Sequence, residues 1–495
     1  MEKKFVIYLI IFLFDLILSD DEVISFKIES FQNKRDSSNY NIINELQNSY
    51  LTTIISIGSN SYPLKTFITS TKHYFYISDI CYIDKSSYPD YKTNFNYNRH
   101  NSFSFYNTTP FDLTFSGNSH ACIANEDFDL FLTNKKETKK EKINFILAKD
   151  TTEDNPNCLY LGLLENMNKE STFHEYNLIT QLKQKSFIKE NCWCIIFNKP
   201  NNYDNDHQLI NSNELLNLKG DLYIGDYPHN FDSSNFFESQ LVRTYTTFQN
   251  NIMKWELKFN KIFYKHNSKE IKILTDNSIA LDPSSFLTVV SKDYIDSIDE
   301  HFFKKYSDVC HYIDIGEEYS SIYCEKSEKF SINEIKTFPP LFFEHIDLEY
   351  TFELTFKDLF VEKDGKYWVL LLYDDRLNPD QWVLGNMFLR KYQFVFNLES
   401  KEIKFYNPSL EIILPDDEHE NGSIFKTILY IALIVVLCIM LVGGAYLIKT
   451  RCFPSGKKKK RANELDDDFE YESHKNETDN NKEDNKLFAD GNNQD

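Results

Sequence analysis

The sequence predicts an all-β fold, with strands layered face to face. Two observations carry that expectation. Short apolar alternations bounded by turn residues recur from Tyr50 to about Pro408, and only two stretches in that span have helical spacing. A third observation is size: 495 residues are too many for one compact core, so two lobes with flanking segments are expected.

The elements follow in order. Leu51-Thr52-Thr53-Ile54-Ile55-Ser56-Ile57-Gly58 alternates and turns at Ser59-Asn60. Thr66-Phe67-Ile68 and Tyr74-Phe75-Tyr76-Ile77 are two further short apolar runs. Phe111 to Phe115, followed by Ser116-Gly117-Asn118, reads as a hairpin. Leu159 to Leu163 is an apolar run into Gly162. Tyr176 to Ile188 has helical spacing in Leu178, Ile179, Leu182 and Ile188. Cys192 to Phe197, Gly220 to Gly225 and Met253 to Tyr264 are strands, and Tyr294 to Phe303 is the second helical stretch. Near the end, Trp382-Val383-Leu384-Gly385 reads as a buried strand running into a glycine. A helical turn follows, then a half-buried strand with Tyr392, Phe394 and Phe396 on one face.

The flanks are of a different composition. Residues 1–19 read as a signal peptide, with Lys3 and Lys4 before the apolar Phe5 to Leu18; the rival reading is an uncleaved anchor, prompted by Asp15. Residues 20–47 are polar and read as a lead-in or a short prosegment. Residues 411–423 form a juxtamembrane stalk. Residues 424–448 are long and apolar enough for one transmembrane helix. Lys449, Arg451 and Lys457 to Arg461 follow it, so the positive-inside bias puts residues 449–495 in the cytosol as a disordered, polar tail. The expected topology is single-pass type I, with the large domain luminal or extracellular. Asn107 and Asn421 fit the N-glycosylation acceptor rule on that side.

A net charge of −21 argues against a nucleic-acid partner, because phosphates would be repelled. The nine cysteines lack zinc-finger spacing, so no metal is expected. Seven of them precede the apolar span and suit an oxidising lumen, with Cys310 and Cys324 the expected bridge. No G-x-S-x-G, H-E-x-x-H or phosphate-cradling glycine loop is present, and no cofactor is implied.

The run Trp382 to Tyr392 closely resembles the "W-hydrophobic-L-G-x-x-F-L-R-x-Y" signature of pepsin-like aspartic peptidases. Further landmarks of that family are met in order. Ile57-Gly58-Ser59 resembles its "I-G-T", and Tyr160-Leu161-Gly162-Leu163 its "I-L-G-L". Gly220 to Gly225 is similar to "G-x-L-x-F-G", and Ser285-Phe286-Leu287-Thr288-Val289 to "S-F-L-T-V". The resemblance covers roughly residues 48–410 and implies a bilobal β fold with a central cleft. The lobes would be about 48–220 and 221–410. Gly162 and Gly385 would pass beneath two catalytic loops, and Phe115 would occupy the tyrosine position of a flap.

Catalysis in that family needs two carboxylates sharing one proton, one ionised to activate water and one protonated to polarise the carbonyl. Counted without gaps from Ile57-Gly58, the first slot falls on Thr69; counted back from Ser285, the second falls on Leu281. Asp282 is one residue later and would point to the opposite face. A one-residue deletion would instead put Asp282 in the slot, followed by Pro283, which has no N–H to offer it. The degenerate slots thus lack a working dyad. The expected function is a membrane-anchored, non-catalytic peptidase-like domain whose cleft binds a polypeptide. Two alternatives stand beside it, an active aspartic endopeptidase with an atypical site and a structural or adhesive surface protein. The oligomeric state is left open.

Overall fold

The computed structural model describes residues 22–32, 41–59, 61–69, 75–78, 106–107, 113–115, 119–149, 159–164, 176–198, 209–246, 248–249, 252–253, 255–316, 318–374 and 382–412. The signal peptide, stalk, apolar span, tail and Asn421 lie outside them. No helix among the described residues is long and apolar enough to cross a membrane.

The chain opens with β1 Ile24–Gln32, α1 Ile42–Gln47, β2 Ser49–Ile57, β3 Tyr62–Thr69, β4 Phe75–Ser78, β5 Tyr106–Asn107 and β6 Leu113–Phe115. It continues with β7 Ser119–Leu132, β8 Glu137–Lys149, β9 Leu159–Gly162, α2 Leu178–Gln184, β10 Cys192–Phe197 and β11 Ile210–Asn211. Then come α3 Ser212–Leu216, β12 Lys219–Ile224, α4 Pro228–Phe231, β13 Leu241–Tyr245, β14 Phe248–Gln249 and β15 Ile252–Met253. The later part holds β16 Glu256–His266, β17 Lys269–Leu281, β18 Thr288–Val290, α5 Lys292–His301, β19 Cys310–Ile315, β20 Tyr319–Glu325 and α6 Ile332–Ile335. The last elements are β21 Leu341–His345, β22 Tyr350–Leu354, α7 Phe356–Leu359, β23 Phe360–Lys363, β24 Lys366–Val369, β25 Leu371–Tyr373, β26 Val383–Leu384, α8 Asn386–Leu389, β27 Phe394–Asn397 and β28 Glu402–Tyr406.

The protein is all-β, built on two large sheets. Among the described residues, one sheet has 14 strands in the order β13-β28-β27-β10-β12-β1-β2-β3-β9-β4-β8-β7-β5, with β6 paired to β7. The other has 12 strands in the order β11-β23-β24-β20-β25-β18-β26-β17-β16-β21-β22, with β19 paired to β20. Turn chemistry supports the hairpins. Asn267 and Ser268 both take positive φ between β16 and β17, and Asp364 and Gly365 do so between β23 and β24.

The first sheet begins earlier than the sequence suggests. Residues 20–47, expected as a lead-in, contain β1, which lies between β2 and β12 with Ile24, Phe26 and Ile28 buried. Ile24, Phe26 and Ile28 alternate with Ser25, Lys27 and Glu29, a short period-two signal that the polar composition of residues 29–41 outweighs when the whole segment is read together.

The two helical stretches form α2 and α5. Asn177 caps α2 by accepting from Thr180 N at 3.2 Å, and Ser291 caps α5 by accepting from Tyr294 N. The last strand differs from expectation. β27 is buried on both faces. Phe394 and Phe396 join the main core, and Val395 joins a second cluster with Cys192, Cys194 and Tyr406, which the partly buried Tyr227 and Phe231 pack against. Half-burial holds for a strand with one solvated face; here both faces are covered. The edge strand β22 is also covered: the Tyr392 hydroxyl accepts from Glu353 N at 2.7 Å and donates to Glu353 O at 2.8 Å.

Cys310 and Cys324 are bonded and face each other across β19 and β20. Cys192 and Cys194 are free and buried, and burial raises both thiols far above their ordinary range.

Candidate functional site

The two sheets contain the same local arrangement. In the first, the hairpin β2–β3 delivers β3 beside β9, which runs parallel to it with Ile68 opposite Leu161 and Thr69 opposite Gly162. Leu163 N donates to Thr69 O at 2.9 Å. β9 is also antiparallel to β4, with Leu161 opposite Phe75. The segment that leaves Thr69 therefore returns on the far side of β9.

In the second sheet, the hairpin β16–β17 delivers β17 beside β26, again parallel, with Ala280 opposite Val383 and Leu281 opposite Leu384. Asp282 N donates to Leu384 O at 3.0 Å. β26 is antiparallel to β18, with Val383 opposite Val289. Gly385 is forced by this crossing. A Cβ there would lie 2.5 Å from both Ser285 O and Leu287 O.

These registers correct one expectation. Laying Leu161-Gly162 on Leu384-Gly385 makes Ile68 the counterpart of Leu281, and Thr69 the counterpart of Asp282. The spacing agrees, since the antiparallel pairings set Tyr76 across from Tyr160 and Val289 across from Val383, the residues just before Leu161 and Leu384. Tyr76 is seven positions after Thr69, and Val289 is seven positions after Asp282. Leu281 is a core residue, 2% exposed. The count back from Ser285 assumed a loop one residue longer than the one this chain has.

Asp282 is held by its own loop. Its Oδ1 accepts from Ser284 N at 2.9 Å and from Ser284 Oγ at 2.5 Å, and Ser285 N donates to Asp282 O at 3.1 Å. The N–H that Pro283 lacks is thus supplied by Ser284. Asn386, fully buried, pins the same loop twice: N donates to Ser285 O at 2.8 Å and Nδ2 to Pro283 O at 2.8 Å. Sequence reasoning missed Asn386. Its signal was a polar residue directly after the glycine of an otherwise apolar run.

Thr69 is buried at 7% exposure. Its hydroxyl can exchange hydrogen bonds but carries no charge near neutral or acid pH. A short chain of bonds links the two crossings. Leu163 O accepts from Trp193 Nε1 and from Trp255 Nε1, each at 3.1 Å, and Trp255 O accepts from Leu281 N at 2.7 Å. The two indoles pack with Phe396, Trp193 stacked on it at 4.2 Å and Trp255 at 5.1 Å. This aromatic cluster fixes the Thr69 crossing against the Asp282 crossing.

Of the other expected site residues, Gly162 lies opposite Thr69 in the β3–β9 register, and Gly385 packs against the backbone of Ser285 and Leu287. Phe115 ends β6, which pairs with β7 as a hairpin, Phe115 opposite Ser119; its side chain is outside the described residues. Asn107 lies in β5, and its side chain too is outside them. Among the described residues, no group of three or more His, Cys, Asp or Glu side chains could hold a metal ion. No protein-family model matches the chain, and no curated protein matches it.

Proposed function

We propose that residues 24–410 form a pepsin-like domain that has kept its scaffold and lost its peptidase activity. The two crossings would meet at the floor of a cleft between two lobes, and the cleft would bind a polypeptide without cutting it. One observation carries this reading: Thr69 stands at the register position equivalent to Asp282, so the pair is one carboxylate and one hydroxyl. A single carboxylate cannot be general base and general acid in the same step. Asp282 favours the runner-up, an active aspartic endopeptidase, only in part, because that reaction needs a second carboxylate opposite it. The domain would lie outside the cytosol on a type I membrane anchor, and the Cys310–Cys324 bond supports an oxidising compartment.

The test is hydrolysis of a denatured protein by the purified chain at acid pH, with and without a statine-type inhibitor. No turnover is expected. Inhibitor-sensitive cleavage would establish the endopeptidase instead. Glycan on Asn107 and Asn421 is expected, and glycan on Asn476 would invert the topology.

A further inference from the structure

We propose that residues 209–218 are a strap that fastens the first sheet to the β23–β24 hairpin of the second, so that the two open as one cooperative unit. β10 and β12 are adjacent antiparallel strands, with Phe197 opposite Gly220. Strands so paired can be joined by a two-residue turn. Here the chain leaves at Asn198 and returns at Lys219, where Asn198 N donates to Lys219 O at 2.9 Å and closes the base of the excursion.

The described part of that excursion does not stay on its own sheet. Ile210 and Asn211 form β11, which adds in parallel to β23 at the end of the second sheet, Ile210 opposite Val361 and Asn211 opposite Glu362. Asn211 then caps α3, its Oδ1 accepting from Asn213 N at 2.8 Å. Leu215, Leu216 and Leu218 are buried on the way back. The return is tied to β1: Ser30 N donates to Leu218 O at 2.9 Å, and Ser30 Oγ donates to Leu216 O. Next to it, Glu45 of α1 pairs with Lys363 Nζ at 2.6 Å, the side chains 9% and 23% exposed. An ion pair this sheltered is screened less than one on the surface. Three consecutive residues of β23 are therefore held by β11 and α1, segments that the chain inserts between strands of the first sheet. Moving one sheet against the other would break a strand pair and an ion pair together.

Hydrogen exchange on the full chain tests this. In the wild type, residues 360–369 should exchange as slowly as β12, because they open with it. Leu215→Ala empties the underside of the strap and should speed exchange of residues 360–369 by about tenfold or more, with β17 and β26 unchanged. Acceleration confined to residues 209–218 would overturn the proposal. Lys363→Met removes the charge and keeps the stem, and serves if the first variant does not fold. It should speed exchange of the same hairpin by about threefold, by loss of the sheltered pair; unchanged exchange there would also overturn the strap.

Discussion

The Thr69 and Asp282 crossings share a backbone and differ in chemistry. Each has a hairpin, a parallel neighbour ending in Leu-Gly, and a segment that returns antiparallel to that neighbour. The second has a carboxylate with a dedicated Ser284 cradle and a buried Asn386 beneath it. The first has a buried threonine. Backbone geometry here rests on apolar strands and two glycines, which do not depend on the side chain presented at the tip. The same crossing can therefore present a carboxylate in one sheet and a neutral hydroxyl in the other.

The largest expected effect tests that equivalence directly. Thr69→Asp should create acid-pH peptide cleavage at least about tenfold above the wild-type background if the proposed reading holds, since it puts a second carboxylate at the register position equivalent to Asp282. Thr69→Asp combined with Asp282→Asn should abolish it. If Thr69→Asp is inert while Thr69→Asp with Leu281→Asp is active, the register equivalence fails.

Gly385→Ala comes next. The added Cβ would meet two backbone carbonyls at 2.5 Å, which no rotamer relieves. A loss of about 3 kcal/mol or more is expected in denaturant unfolding. A change under about 1 kcal/mol would mean that the Asp282 loop is soft, and its cradle then says little about function.

The third prediction sets the second sheet against acid. His345 is buried at the end of β21, and burial lowers its pKa to about 4. Its folded-state pKa lies below the unfolded one, near 6.5, so the unfolded chain takes up a proton first as pH falls. Stability from this group is complete above about pH 6.5 and is lost between there and about pH 4, roughly 3 kcal/mol at most. Unfolding midpoints measured from pH 7 to 4 should fall in the wild type and fall less in His345→Phe. Equal slopes would remove His345 from the account.

The smallest effect separates the two loops by their supports. Asn386→Ala removes the bond to Pro283 O and should cost about 1–3 kcal/mol. In the Thr69→Asp background it should also lower any gained activity more than it lowers stability, because Asp282 would lose its fixed loop. Loss of stability alone would make Asn386 a packing residue only.

By itself the sequence determined the all-β class, most strand positions, both helical stretches, the Cys310–Cys324 bridge and the absence of a carboxylate at position 69. These are local matters: period-two alternation, 3.6-residue spacing and residue identity are all written along the chain. It also marked Gly385, where an apolar run ends in a glycine and two backbone carbonyls approach closely. Only the tertiary structure decided which residue of the second loop matches Thr69. Counting from Ser285 presumes a loop length, whereas the hydrogen bonds of β17 with β26 measure it, and one residue exchanges a core leucine for a cradled aspartate. The tertiary structure also placed β1 at the centre of a sheet and carried β11 across to β23. Strand partners far apart in sequence are chosen by the faces and edges left open when the sheets assemble, and no window of the chain contains that information.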